Sequence, residues 1–260
     1  MGNKLLANNR FYILSFSILL SVMVFAWLRL TLADNQLLIM RTQQIFGLLS
    51  IIYLYVALAI SPVAAIVGSQ RIKPIIFARR SIGVSAFYYG LAHTVIVFWG
   101  QMGGFSQVEY LPALFIWSLI GGTVAIAIMF YMTITSTDWF IRVMTYRWWK
   151  LSHRLIYIGG ILILLHVWSL GTHLVSASWQ FALLGSLAVL AGLQTVRIVK
   201  FVNKKWQLFN RDESVVVGIA GWAIVVTLVV LTPSVVPNYH SRHTDSSKTE
   251  TTNIHKMMGH

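Results

Sequence analysis

Long apolar segments free of acidic residues make up most of this chain and limit what it can fold into. An α-helix needs about 20 apolar residues to cross a bilayer, and in lipid every backbone polar group must be hydrogen-bonded within the structure. We therefore predict an all-α, polytopic membrane helical bundle with six core helices and a seventh helix at its C-terminal end. The predicted spans are residues 11–32, 43–68, 81–100, 112–136, 151–170, 178–199 and 215–232.

The composition and the positions of the cations support this class. The chain is 57% hydrophobic and 10% charged, which is too apolar for a soluble domain. Its net charge of +13 is concentrated near the N-terminus and in the loops around 69–80, 137–154 and 197–214. Because cytoplasmic loops are rich in Lys and Arg, we predict a bacterial-type inner or plasma membrane protein with a cytoplasmic N-terminus. The same distribution argues against a nucleic-acid partner.

Several kinds of chemistry are excluded by what the sequence lacks. It has no cysteine, which excludes disulfides, thiolate-held iron–sulfur clusters and thiol catalysis. It has no P-loop and no strand followed by a Gly-rich turn and a helix, so a nicotinamide or flavin domain would belong to another chain.

The chain is predicted to have four parts. These are an N-terminal helix and outer loop at 1–42, a core at 43–199, a basic loop and extra helix at 200–237, and a disordered polar tail at 238–260. Pro62 in the second span predicts a kink or an early end of that helix.

Three histidines lie within the predicted spans, where an imidazole is costly unless its nitrogens have partners. His93 lies fourteen residues after Arg79 in the third span, and His166 lies thirteen after His153 in the fifth. Both spans begin at a basic loop, and each interval corresponds to about 20 Å of helix rise. We therefore expect His93 and His166 at one depth in the outer half of the membrane, with His153 near the cytoplasmic face. Two neutral imidazoles at one depth can be the axial ligands of one b-type heme.

Helical phase and the arginines are less specific signals. On an ideal helix His153 and His166 differ by roughly 140° in azimuth, so only tilt or a distortion at Gly159-Gly160 would bring both toward one cofactor channel.

Heme propionates need cationic partners. The candidates are Arg79, Arg80 and Arg154 on the inner side and Arg29 and Arg41 on the outer side. The alternatives are packing histidines and charges that only set the topology.

The other histidines are interpreted as surface or tail residues, and the alternatives are a role of His173 at the edge of an outer heme and loose copper or iron binding by the tail. His173 follows the fifth span and is interpreted as a surface residue. The remaining ones lie in the polar tail, at His240, His243, His255 and His260.

Three segments resemble the ferric-reductase-like transmembrane domain family. Residues 78–93 read ARRSIGVSAFYYGLAH and residues 133–136 read TITS. Residues 149–157 read WKLSHRLIY and are followed by His166. The similarity covers roughly residues 43–199. It is closest to heme-binding membrane subunits that serve a periplasmic reductase.

This resemblance implies a ferric-reductase-like core that binds b-type heme through histidines of the third and fifth spans. His93 and His166 would hold an outer heme, and His153 would serve an inner one. Two-heme members of the superfamily carry another third-span histidine where this chain has Arg79, so the choice between one heme and two stays open.

The function implied is electron transfer across the membrane. Electrons would come from a cytoplasmic flavin or NAD(P)H reductase or from membrane quinone, and would pass to an outer-face reductase or metal acceptor. The chain would then be the membrane component of an oxidoreductase rather than a complete enzyme. The alternatives are a self-contained ferric or quinone reductase and a heme-free transporter or assembly factor. Transporters of this size usually carry acidic residues or broken helices at mid-membrane, and no predicted span contains Asp or Glu.

Overall fold

The computed structural model describes residues 2–68, 73–171, 176–206, 216–223 and 227. In that part of the chain all regular structure is helical, which confirms the predicted class. The α-helices are α1 (Gly2–Thr31), α2 (Asn35–Val67), α3 (Lys73–Val95), α4 (Ala113–Thr135), α5 (Asp138–Val143), α6 (Tyr146–Ser152), α7 (Leu155–Leu170) and α8 (Ala177–Trp206). A π-helix, Ile96–Gln101, continues α3, and a 3-10 helix follows at Phe105–Tyr110.

Six helical segments are long and apolar enough to cross a membrane, which confirms the first six predicted spans. They are Arg10–Thr31, Asn35–Val67, Ile75–Gln101, Ala113–Thr135, Arg147–Leu170 and Ser178–Lys204. Many of their large apolar side chains are exposed on the protein surface, including Leu30 at 87% and Trp117 at 71%. Such a surface requires lipid as its solvent, so the chain is an integral membrane protein.

The C-terminal predictions lie largely outside the described residues. Within the predicted seventh span, residues 216–223 and Thr227 are helical, and the rest of 215–232 lies outside. His173 and the polar tail at 238–260 also lie outside the described residues. The division into four parts and the orientation in the membrane stay predictions.

The bundle is built from two closely packed helix pairs. α2 lies along α3, and α4 lies along α7. The pairs meet through α3 and α4, while α1 packs on α3 and α8 packs on α2. A buried cluster at the centre takes one residue from each of the four inner helices, namely Leu54, Ala86, Met129 and Ile156. Each helix pair therefore contributes one of the two deep histidines, His93 on α3 and His166 on α7.

The fifth span contains a turn that its sequence did not predict. α6 ends at Ser152, His153 and Arg154 form a turn, and α7 begins at Leu155. The Arg154 N–H bonds the carbonyl three residues back, on Leu151, at 3.0 Å, which tightens the chain at this point. The predicted span over 151–170 is therefore confirmed as part of the membrane-crossing segment Arg147–Leu170, with a tightened turn at His153 and Arg154 near its start.

Pro62 does not end α2. The helix continues for a further turn to Val67, and Pro62 itself is buried inside the bundle. In a membrane helix, packing against neighbours compensates for the hydrogen bond that proline removes.

Buried hydroxyl groups connect α1 to α3. Ser17 Oγ donates to Ser85 Oγ at 2.8 Å, and Tyr89 Oη donates to the Ser17 carbonyl at 2.7 Å. Tyr89 is completely buried. Since lipid offers no water to these groups, each must find its partner inside the bundle, and the bonds fix α1 against the helix that carries His93.

Candidate functional site

His93 and His166 meet at the centre of the structure. Their ring centroids are 6.4 Å apart, with the ring planes inclined at 80°. Both residues are half-buried. The two histidines therefore lie side by side in the bundle, while their depth in the membrane and their role as metal ligands stay predictions.

Each of these imidazoles is held through Nδ1 by a backbone carbonyl of the neighbouring helix. His93 Nδ1 lies 2.8 Å from the Gln43 carbonyl of α2, and His166 Nδ1 lies 2.9 Å from the Ser118 carbonyl of α4. A carbonyl oxygen only accepts, so Nδ1 carries the proton in both rings. Among the described residues no hydrogen bond reaches Nε2 of either ring. Both neutral rings therefore present Nε2 as an available ligand atom.

Gln43 and Ser118 are the residues of this candidate site that the sequence did not predict. The Gln43 side chain also bonds the Gln101 side chain, which ties the π-helix to α2 beside His93. Ser118 Oγ lies 3.1 Å from His166 Nδ1. The available signal was a polar residue inside an otherwise apolar span. That signal could not identify them alone, because the main contact is made by a backbone carbonyl that every residue has.

His153 has a different environment. Its Nδ1 donates to the Trp149 carbonyl at 2.9 Å, and its Nε2 accepts from the Ser136 hydroxyl at 3.2 Å. The ring also lies against the Trp149 indole, with centroids 4.1 Å apart. Both ring nitrogens of His153 therefore have hydrogen-bond partners, whereas in His93 and His166 only Nδ1 has one among the described residues. A ligand role for His153 stays a prediction.

The three inner-side arginines predicted to meet propionates lie toward one end of the bundle. The outer-side candidates, Arg29 and Arg41, donate to the side chains of Asn35 and Gln44. Arg79 Nε donates to the Ala57 carbonyl at 3.2 Å, and Arg154 is exposed. Arg80 pairs with Asp138 at 2.6 Å, and Arg10 reaches the same carboxylate at 3.1 Å. Arg80 therefore already has a counter-charge. The propionate roles of Arg79, Arg80 and Arg154 stay predictions.

Asp138 connects three helices at this end. It lies in the first turn of α5, with Arg10 of α1 and Arg80 of α3 as its partners. The hydrogen bond from Arg80 is the main reason that the pKa of this carboxyl lies below its usual value, and Arg10 lowers it further. Its role could not be predicted from the sequence, because both arginines lie far from Asp138 along the chain.

The histidine pair suits a metal that brings most of its own ligands. Among the described residues, no group of three His, Cys, Asp or Glu side chains is close enough to hold an ion. A zinc ion needs about four ligands and would find two. Heme iron has four nitrogens from its macrocycle and needs only axial ligands from the protein.

The separation of the two rings also fits this interpretation. Imidazole nitrogens bind metals at about 2.0–2.1 Å, so two rings whose centroids are about 6 Å apart are close enough to hold one metal together. The two rings here are separated by 6.4 Å. The residues present therefore fit the axial ligand set of a heme.

Comparison with known proteins identifies the family. The sequence profile described as "Ferric reductase like transmembrane component" matches residues 11–164, which is more than half of the chain. The chain belongs to this family. The match includes α1 to α4 and most of α7, and so contains both helix pairs of this ferric-reductase-like protein. It ends two residues before His166.

Curated relatives carry a more specific name. The chain is 32% identical over 127 residues to the protein-methionine-sulfoxide reductase heme-binding subunit MsrQ of Bordetella parapertussis, covering 47% of this chain and 57% of the relative. It is 31% identical over 153 residues to the MsrQ of Xanthomonas euvesicatoria, covering 56% of this chain and 64% of the relative. The chain thus spans less than two thirds of the length of these relatives. No solved structure matches the chain.

Proposed function

We propose that this ferric-reductase-like protein is a membrane electron-transfer subunit that holds b-type heme between His93 and His166. The observation that carries the proposal is the ring pair itself. Two imidazoles from different helices lie at the separation that an axial ligand pair needs, and each has its Nδ1 proton bonded to a carbonyl. The names of the MsrQ relatives, which are heme-binding subunits, support the same cofactor.

When bound, the heme supplies the one-electron chemistry, and the protein binds and orients the heme and sets its electrostatic environment. His93 and His166 would hold the iron through their Nε2 atoms. The carbonyls of Gln43 and Ser118 fix the tautomer of each ring and increase the basicity of Nε2. The apolar helices keep water away, which lowers the local dielectric and stabilises the neutral imidazole form of the ligands.

The partners belong to this proposal as well. The relatives are named as subunits of a protein-methionine-sulfoxide reductase, which favours a partner reductase as the electron acceptor. We propose a cytoplasmic flavin reductase or membrane quinone as donor, in agreement with the absence of any nucleotide-binding pattern in this sequence. A second heme at the His153 end is a further possibility that the heme count will test.

The first experiment is heme analysis of the protein purified from heme-replete cells. We expect the reduced-minus-oxidised absorption bands of a low-spin b-type heme. H93A and H166A should each lose this same low-spin species. H153A is the matched control and should keep it, because His153 is separated from the pair. Retention of the low-spin bands in both H93A and H166A would contradict the proposal.

A second experiment separates a relay from a complete enzyme. Purified protein is reduced with dithionite, and its reoxidation by a soluble ferric chelate or a quinone analogue is followed without any partner. A relay subunit should reoxidise slowly and should turn over only when a partner reductase is added. Rapid steady-state turnover with the chelate alone would identify a self-contained ferric reductase instead.

A further inference from the structure

The two histidines are anchored in the same way on two different helices. His93 donates to the carbonyl of Gln43, and Gly47 lies four residues further along α2. His166 donates to the carbonyl of Ser118, and Gly122 lies four residues further along α4. Residues four apart are stacked one above the other on a helix face. Each ring therefore faces a carbonyl and, one turn later, a glycine.

Both glycines are in close contact with the imidazoles. A Cβ at Gly47 would lie 3.0 Å from His93 Nδ1 and 3.3 Å from its Cε1. A Cβ at Gly122 would lie 3.1 Å from His166 Nδ1 and 3.4 Å from its Cε1. Comfortable contacts between such atoms are about 3.5–4.0 Å, so a methyl group would displace the ring.

This closeness is not a general property of glycines in the bundle. Gly121, the neighbour of Gly122, would place a Cβ no closer than 4.0 Å to Leu162, and Gly83 and Gly160 would meet nothing within 4 Å. Gly90 is tightly packed, but against Ile126 and Ser50 rather than a histidine. Among the glycines whose surroundings the structure describes, such a contact with an imidazole nitrogen occurs at the two that follow the anchoring carbonyls.

We propose that Gly47 and Gly122 are positioning residues for the axial ligands of the heme. The absence of a side chain lets each ring approach its helix until Nδ1–H reaches the carbonyl one turn earlier. That bond selects the tautomer that presents Nε2 and increases its basicity. The inference rests on the proposed heme site and assigns these two glycines a role in setting the affinity and potential of that heme.

The test compares G47A and G122A with two control variants. G121A adds the methyl group to α4, the helix of Gly122, and G83A adds it to α3, the helix of His93. At neither position would the added Cβ lie closer than 4.0 Å to a neighbouring atom. Loss of interactions behind a metal ligand typically reduces metal affinity 10–100-fold. We expect at least a tenfold loss of heme affinity in G47A and in G122A, and wild-type affinity in both controls.

Two further measurements separate positioning from a packing role. Where heme remains bound, a weaker Nδ1–H bond makes the imidazole a poorer donor to ferric iron. We therefore expect a more positive midpoint potential and changed low-spin electron paramagnetic resonance g values. A defect in packing alone would lower the unfolding temperature without moving either quantity.

A double variant covers the case in which G47A does not accumulate. In an H93A background the ring is absent, so G47A/H93A should accumulate as well as H93A alone. Failure of this double variant would show that the methyl group disturbs something other than the imidazole, and would overturn the inference. G122A/H166A provides the same test on α4.

The outcomes distinguish this inference from the proposed function. A wild-type protein without low-spin heme overturns both. A wild-type protein with low-spin heme, whose affinity, potential and g values are the same in G47A, G122A, G121A and G83A, overturns the role of the glycines and leaves the heme site intact.

Discussion

At the residue scale, the chemistry of the site depends on which nitrogen of each imidazole is already bonded. His93 and His166 use Nδ1 for a backbone carbonyl, whereas both nitrogens of His153 have partners. The sequence predicted the three histidines and their depths from spacing. It could not predict their hydrogen bonds, because the partners are backbone carbonyls, which every residue type has.

The buried hydroxyl of Tyr89 allows a test at this scale. Tyr89 donates to the Ser17 carbonyl at 2.7 Å, and that carbonyl also accepts from Ser21. We expect Y89F to lower the free energy of unfolding by about 1 kcal/mol, the typical value of one hydrogen bond. The measurement is unfolding of the purified protein in detergent micelles. The control is Y88F, whose ring lies next in sequence and is 36% exposed. Equal stability of Y89F and wild type would contradict the prediction.

At the element scale, α3 is the helix on which the others assemble. It packs against α1, α2 and α4 and carries His93. Its close approach to α2 and α4 occurs at Gly90, where a Cβ would lie 2.8 Å from Ile126 Cδ1 and 3.0 Å from Ser50 Oγ. Small residues at such crossings let membrane helices come close together.

Two glycines of α3 therefore respond differently to the same substitution. We expect G90A to destabilise the protein by about 1–3 kcal/mol, the usual cost of overpacking. G83A should be neutral or slightly stabilising, since its Cβ meets nothing within 4 Å and alanine favours the helix. Thermal unfolding of the two variants in the same detergent measures the difference. Similar unfolding temperatures for both would show that Gly90 is not a packing position.

The break between α6 and α7 is also an element-scale finding that the sequence did not reveal. The segment 148–168 has the apolar composition of one helix, and no proline or glycine marks the turn at His153 and Arg154. The turn accompanies contacts with the end of α4, where Trp149 Nε1 donates to the Thr135 carbonyl at 3.1 Å. Tertiary contacts of this kind override a local helical pattern.

At the scale of the whole molecule, Asp138 joins the ends of three helices and makes stability depend on pH. Its pKa is lower in the folded protein because Arg80 and Arg10 bond the carboxylate. The stabilisation is therefore complete above the unfolded-state pKa of about 3.9 and is lost as the pH falls through the folded-state pKa. The effect will be small, because the carboxylate is exposed.

The measurement is the unfolding temperature of wild type and D138N from pH 7 down to about pH 3. We expect wild type to be more stable at pH 7, with the difference becoming smaller toward the acidic end. A difference that stays constant over the whole range would contradict the assigned role of the carboxylate.

The orientation in the membrane is a second prediction for the whole molecule. The chain has no cysteine, so single cysteines can be introduced without background. Glu109, in the 3-10 helix, and Arg142, in α5, are both exposed. With the basic loops in the cytoplasm, E109C should react with a membrane-impermeant maleimide in intact cells, and R142C only after permeabilisation. The reverse pattern would invert the predicted topology.

The sequence by itself determined the class of the protein and its first six spans, and it singled out the two histidines that the bundle brings together. These follow from hydrophobic length and residue spacing along single helices, which are local properties. Only the tertiary structure decided that His93 and His166 meet, which carbonyls hold their Nδ1 atoms and where the fifth span breaks. These features depend on which helix faces pack together. When a membrane helix is apolar on every side, its hydrophobic pattern does not show which neighbouring helix it packs against.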